Sequence, residues 1–156
     1  MKQEDKELLL KDTCCRLPYG VKAYVRHYSK LDRKWYEGIY TIESACPCLN
    51  NIFVCSERGS VEVIVGYDDY KIKPYLFPLS SMTLEQKKEL CKVGGYEARE
   101  EDCGYHSETF YYNMVGHENV FYPDADDIDW LNKNHFDYRG LIEKDLALDA
   151  TGLNIY

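Results

Sequence analysis

Cys46-Pro47-Cys48, with Cys55 seven residues further on, is the closest this chain comes to a metal-binding pattern. Zinc favours sulfur donors held close together, but its usual knuckle spaces two cysteines by two residues. Here a single proline separates them, and no second C-x2-C or H-x3-H pair follows. Cys103 and His106, with Cys91 and His117 beyond, are the other possible ligand set and are no better spaced. Nucleophilic catalysis needs a Cys or Ser beside a positioned His and an orienting carboxylate. The four histidines (His27, His106, His117, His135) fall in no such signature, and Ser80 and Ser81 stand just before a helix start. Asp68 with Asp69, and the run Asp124, Asp126, Asp127, Asp129, offer oxygen ligands for a divalent cation. Counted from Asp124, however, the sixth and twelfth positions are Asp129 and His135, where a calcium loop needs Gly and Glu. Acids at a helix start, where they satisfy backbone N–H groups and the helix dipole, explain the run better. The residues therefore imply no catalytic set, no metal and no cofactor.

Two groups remain as candidate binding residues. Between Val21 and Tyr36, the basic residues Lys22, Arg26, Lys30, Arg33 and Lys34 interleave with Tyr24, Tyr28, Trp35 and Tyr36. Small barrels bind single strands by pairing a basic groove with stacking rings, so Arg26, Lys34 and Trp35 are candidates for a nucleotide or nucleic acid. In NHFDYRG, His135, Asp137 and Arg139 alternate with apolar anchors and form the second group. Their alternative role is structural, with Asp137 capping the next element and Arg139 pairing with an acid.

These residues must be positioned by elements that the pattern predicts. Lys6 to Arg16 reads as a short helix with Leu9, Leu10 and Thr13 near one face, ended by Pro18 and Gly20. VKAYVRHY, KWYEGIYTIES, NIFVCSE, SVEVIVG and YKIK read as short strands separated by turn signals. They predict a small antiparallel sheet, curled or closed to protect its edges, with an SH3-like barrel as one form. KPYLFPLSSM reads as a connector because of its two prolines. Thr83 caps a helix from Leu84 to Val93, with Gln86 at the reciprocal position and Gly94-Gly95 as the stop. ETFYYNMV reads as a strand, Asp126 or Asp127 caps a helix to about Asn134, and Tyr138 to Lys144 reads as a second short helix.

Composition sets the class. The 156 residues suit one domain or two small units, and a core of that size buries about 68–70% of the unfolded surface. With 29% charged and 45% hydrophobic residues the chain is globular rather than disordered. Its 15 tyrosines suit half-buried sheet faces and binding surfaces alike. Residues 1–93 hold 15 Lys/Arg against 13 Asp/Glu, whereas residues 94–156 hold 4 against 14. That asymmetry argues against nucleic-acid binding by the whole surface and leaves a local basic site open. Leu8 to Leu10 is the one apolar run of the opening, and no run approaches a membrane span, so a cytoplasmic protein without a membrane partner is expected. Seven cysteines, an odd number, then read as free thiols.

KPYLFPLSSMTLEQKKEL (73–90) and DWLNKNHFDYRGLIEKDLALDATGLNIY (129–156) resemble the shared segments of a family of short uncharacterised proteins encoded by prophages and mobile elements of gut bacteria. LKDTCCRLPYGV (10–21) is similar to their common opening. The resemblance implies a phage-borne context inside a bacterial host cell and carries no catalytic residues with it.

The expectation is an α+β fold, with residues 1–79 as an N-terminal helix and small sheet and 80–156 as a mixed helical section. The expected function is a non-enzymatic interaction protein that binds a host protein, with counter-defence as one such role and the acidic C-terminal half facing a basic partner surface. A nucleotide or nucleic-acid binding module is the alternative, and a small enzyme of unknown class is the third reading.

Overall fold

The computed structural model describes residues 1–56, 59–67, 70–94 and 124–156. Asp68, Asp69, Cys103, His106, His117 and the expected strand ETFYYNMV lie outside the described residues. The chain forms two compact units, one made of Met1–Leu76 with Arg139–Tyr156 and the other of Phe77–Tyr138. The last eighteen residues return to the first unit, an exchange that a division at residue 79 does not anticipate.

In the first unit, helix α1 (Gln3–Arg16) is followed by strands β1 (Lys22–Ser29), β2 (Lys34–Cys46), β3 (Asn51–Ser56), β4 (Gly59–Ile64) and β5 (Lys71–Pro78). The sheet order is β4-β3-β2-β1-β5, and the pairs among these five strands are antiparallel. The short strand β7 (Leu148–Asp149) adds to β5 in parallel, Tyr75 opposite Leu148. The α+β class holds, but the sheet is mixed and open, because β4 and β5 do not pair with each other and β5 instead takes β7; the expected SH3-like barrel does not form.

Alternation decides which face is buried. Ala23, Val25, Ile42, Ile52, Val54, Val63 and Ile72 point inward and are at most 4% exposed, while the residues between them face out. Leu9 and Leu10 of α1 join this core, as do Leu141, Leu146 and Ala147. Helix α1 ends as expected, its last turn passing into a 3-10 turn (Leu17–Tyr19) closed by Gly20 at φ +67°, a left-handed conformation that glycine adopts without strain. Beside the two leucines the helix also turns Asp12 and Arg16 inward, both fully buried. Arg16 Nε donates to Asp12 Oδ2 at 2.7 Å and its second nitrogen to Oδ1 at 3.1 Å. Arg139 Nε lies 3.5 Å from the same carboxylate.

Two expectations are corrected here. Lys73 to Pro78 continues β5 instead of forming a connector, with Pro74 opposite Ala23 at the last position of the β1 ladder. A residue lacking an N–H is tolerated where a ladder ends, and beyond it β5 changes partners. Residues 138–144 form turns rather than a helix. Gly140 at φ +69° and Asp145 at φ +57° interrupt and close the segment, and both angles are incompatible with a continuing α-helix.

The second unit carries α2 (Leu84–Val93), α3 (Ala125–Lys133) and the short strand β6 (Phe136–Asp137), which runs parallel to Phe77–Pro78. The capping box of α2 is the expected one: Gln86 N donates to Thr83 Oγ1 at 3.2 Å and Thr83 N to Gln86 Oε1 at 2.8 Å. In α3 the cap is Asp124, not Asp126 or Asp127. Its Oδ1 accepts from the N–H groups of Asp126 and Asp127, and Asp127 Oδ2 accepts from Asp124 N in return. Burial raises the Asp127 carboxyl above its ordinary range. Leu79, Met82, Leu90, Trp130, Leu131 and Phe136 form the core of this unit. The rings of Trp130 and Phe136 are parallel to within 9°, with centroids 5.8 Å apart.

Candidate binding face on the sheet

The outer face of the first unit's sheet collects the side chains that could meet a ligand. Register places Tyr28 opposite Trp35 and Arg26 opposite both Glu37 and Lys71, and directly opposed residues share a face. The Arg26 guanidinium carbon lies 4.9 Å from the centroid of the Trp35 ring, a cation–π contact. Around Trp35, Tyr28 lies at 5.4 Å and Tyr70 at 5.8 Å between centroids, and Tyr67 continues the row 6.1 Å from Tyr70. Trp35 is 42% and Tyr67 54% exposed, so their rings retain open surface. Lys71 of β5, opposite Arg26, and Lys73, opposite Tyr24, lie on the same face as this aromatic row.

Of the sequence candidates, Arg26 and Trp35 are thus brought together. Lys34 is exposed beside Trp35, but it is paired with Ser29, so alternation turns it to the opposite face. His135 and Asp137 are 7% and 8% exposed in the second unit, whereas Arg139 belongs to the first and reaches Asp12. The His135 carbonyl accepts from Phe77 N at 2.9 Å, and its φ of +57° turns the chain from α3 into β6. Two of the three residues thus belong to the second unit and the third to the first. The row also includes Tyr67, Tyr70, Lys71 and Lys73, which sequence reading did not single out. Their placement depends on β5 lying beside β1, a nonlocal pairing that spacing along the chain does not encode.

Towards β3 the same face deepens into a groove of about 670 Å³, within the usual size of ligand pockets, bordered by Lys22, Glu37, Ile39, Thr41, Glu43 and Cys55. Glu37 Oε2 accepts from the Tyr24 hydroxyl at 2.8 Å, and that bond raises the phenol above its ordinary range. Glu43 accepts from Ser60 Oγ at 3.1 Å, and Lys73 pairs with Asp145. The acids on the face are thereby partly engaged, while Arg26, stacked on Trp35, stands beside Lys71.

Behind the hairpin, on the inner face, a smaller cavity of about 240 Å³ is lined by His27, Ser29, Asp32, Tyr36, Tyr40 and others. His27 Nε2 lies 3.0 Å from the Tyr40 hydroxyl, and the Tyr36 ring stacks on the imidazole at 5.8 Å. Burial pushes the imidazole below its ordinary range, although the Asp32 carboxylate pulls the other way. Hydrogen bonds from Ser29 and Tyr36 hold Asp32 itself below the usual carboxylate range. Folded His27 binds a proton more weakly than unfolded His27. Its effect on stability is therefore absent above the unfolded value of about 6.5, and stability falls as pH drops below it, by at most about 1.4 kcal/mol per unit. Urea unfolding at pH 7.5 and 5.5 should show a smaller pH difference in His27→Gln than in the native chain; equal differences would remove His27 from this account.

Among the described residues no group of three or more His, Cys, Asp or Glu side chains is placed to hold a metal ion, and no helix is long and apolar enough to cross a membrane. Comparison of the chain with protein-family models, with curated proteins and with solved structures finds no match.

Proposed function

We propose that this chain is a binding protein that takes a short single-stranded nucleic acid across the aromatic row on the outer face of its sheet. The observation that carries this reading is the Arg26 guanidinium on the exposed Trp35 ring, with Tyr28 beside that ring, the half-buried Tyr70 leading on to exposed Tyr67, and Lys71 and Lys73 on the same sheet face. Rings supply stacking surfaces that any base can use, and basic groups beside them follow the phosphates. The charge distribution is compatible with this. By sequence the first unit holds 14 Lys/Arg and 14 Asp/Glu, whereas residues 77–138 hold 5 and 13. The net charge of −8 thus belongs to the second unit, and the sheet-bearing unit is neutral overall.

Fluorescence anisotropy with labelled single-stranded oligonucleotides tests the reading. Losing one stacked base is worth about 1–3 kcal/mol, so Trp35→Ala should weaken binding roughly 5- to 150-fold. Lys71→Ala should weaken it less and make the salt dependence shallower by about 0.7 in the log–log slope, the share of one phosphate contact. Equal affinity of native and Trp35→Ala chains would sink the proposal.

A second reading keeps the host protein as partner. Ile39, Phe53 and Ile64 are exposed on the same face of β2, β3 and β4, beyond the aromatic row, and apolar side chains grouped on one face suit a protein surface. The phage-borne context implied by the resemblance suits either partner. A Phe53→Ser chain that keeps full oligonucleotide affinity yet loses a host protein captured by the native chain would favour this second reading.

A further inference from the structure

We propose that Cys46 and Cys48 form a dithiol–disulfide exchange site whose oxidant is a small-molecule disulfide of the glutathione type. The two cysteines flank Pro47 where β2 passes into a 3-10 turn, Pro47–Leu49, that leads to β3. Their sulfurs lie 3.1 Å apart. A disulfide bond measures about 2.05 Å, so a movement of roughly 1 Å joins them. Two thiolates on a tetrahedral zinc, each at ~2.3 Å, lie roughly 3.8 Å apart, wider than the spacing here. Nor is a third thiol of the motif at hand. Cys46 opposes Asn51, whereas Cys55 opposes Thr41, four residues along β3 and therefore roughly 13 Å away. The geometry favours electron exchange over metal capture.

Exposure fits the first step, since Cys48 is exposed and Cys46 half-buried. Cys48, as thiolate, attacks one sulfur of the small disulfide RSSR. That S–S bond breaks, RS⁻ leaves with the electron pair, and Cys48 carries the other half as a mixed disulfide. Cys46, as thiolate, then attacks Cys48 Sγ, forming the Cys46–Cys48 bond and expelling the second RS⁻. The two cysteine protons end on the released thiols, so the protein loses two electrons and RSSR gains them. The hydrogen bond with Cys46 raises the Cys48 thiol above its ordinary range, so exchange quickens as pH rises. A bond that closes so short a loop gains little from chain entropy, which suits a reversible link better than a structural staple. Cys14 is the competitor to consider, because its thiol, raised chiefly by burial, also feels charge on Cys15 and Cys46.

The test incubates the reduced full-length chain with oxidised glutathione at pH 8, followed by alkylation and mass spectrometry of intact protein and peptides. The proposal expects the loss of two hydrogens with no glutathione retained, Cys46 and Cys48 both protected from alkylation, and reversal by excess reduced glutathione. Cys46→Ser should instead retain one glutathione on Cys48, trapping the mixed disulfide, with an unchanged far-ultraviolet circular dichroism spectrum. Oxidation that joins Cys14 to Cys15 or to Cys46, glutathione stably held on the native chain, or a pair that stays fully alkylatable would each overturn it.

Discussion

Replacing Asp12 by alanine should lower the stability of the first unit by about 3–5 kcal/mol, read as a large fall in the urea midpoint. Asp12 and Arg16 sit one turn apart on α1 and are both fully buried, joined by two hydrogen bonds, and Arg139 approaches the same carboxylate. Removing the carboxylate takes away the anion shared by two guanidinium groups while leaving their charge in place. A buried charge that loses its counterion costs far more than an exposed one, because the interior gives no water in return. The pair itself is a weak stabiliser, since bringing both ions out of water offsets most of their attraction. The double change Asp12→Leu with Arg16→Met should therefore recover much of the loss. A single Asp12→Ala chain within 1 kcal/mol of native would contradict this account of α1.

Phe136→Ala should cost the second unit a comparable amount, about 3–5 kcal/mol, the usual range for deleting a buried aromatic ring. Phe136 is 1% exposed, lies flat against Trp130 and also meets the Phe77 ring at 6.1 Å. It stands in β6, two residues long, which two opposed residues hold in place against Phe77–Pro78. So short a strand cannot be secured by its ladder alone, and ring packing must fix it. Phe136→Leu keeps most of the apolar volume and should lose clearly less. Denaturant unfolding followed through Trp130 fluorescence would check both variants, and equal losses in the two would show that ring packing is not what holds β6.

Where a segment's structure depends on neighbours along the chain, the sequence expresses it well. Thr83 with Gln86 marks the start of α2, and alternation through Val61, Val63 and Val65 fits a strand with one buried face. Distant partners are harder to read. Pro74 argues against a strand locally, yet β5 accommodates it because the β1 ladder ends there. Leu141, Ile142 and Leu146 have near-helical spacing, but Gly140 and Asp145 adopt left-handed angles that enclose a turn. An inward Asp12–Arg16 pair reads as ordinary helix surface until α1 is seen packed, because its i, i+4 spacing is that of solvent-exposed ion pairs.

The candidate site divides in the same way. Arg26 and Trp35 were legible because one hairpin carries both, and basic residues interleaved with aromatics on adjacent strands are a local signal. Lys34 belongs to the same local pattern, although alternation sends it to the other face. Lys71 and Lys73 join the face through β5, and Tyr70 from the residue just before it; the place of β5 beside β1 is set by the sheet order. His135, Asp137 and Arg139 are close in sequence, but the chain passes from one unit to the other between Tyr138 and Arg139.

A nucleic acid strand held at Trp35 on the outer sheet face, as proposed, is directly measurable through the two tryptophans. Trp35 is 42% exposed and Trp130 only 6%, so soluble quenchers and stacked bases should reach the first and not the second. Titration of the native chain with a single-stranded oligonucleotide in low salt should quench the emission of the exposed tryptophan, protect it from acrylamide, and lose both effects as salt rises. Unchanged emission and unchanged acrylamide accessibility at saturating oligonucleotide in low salt would contradict the account.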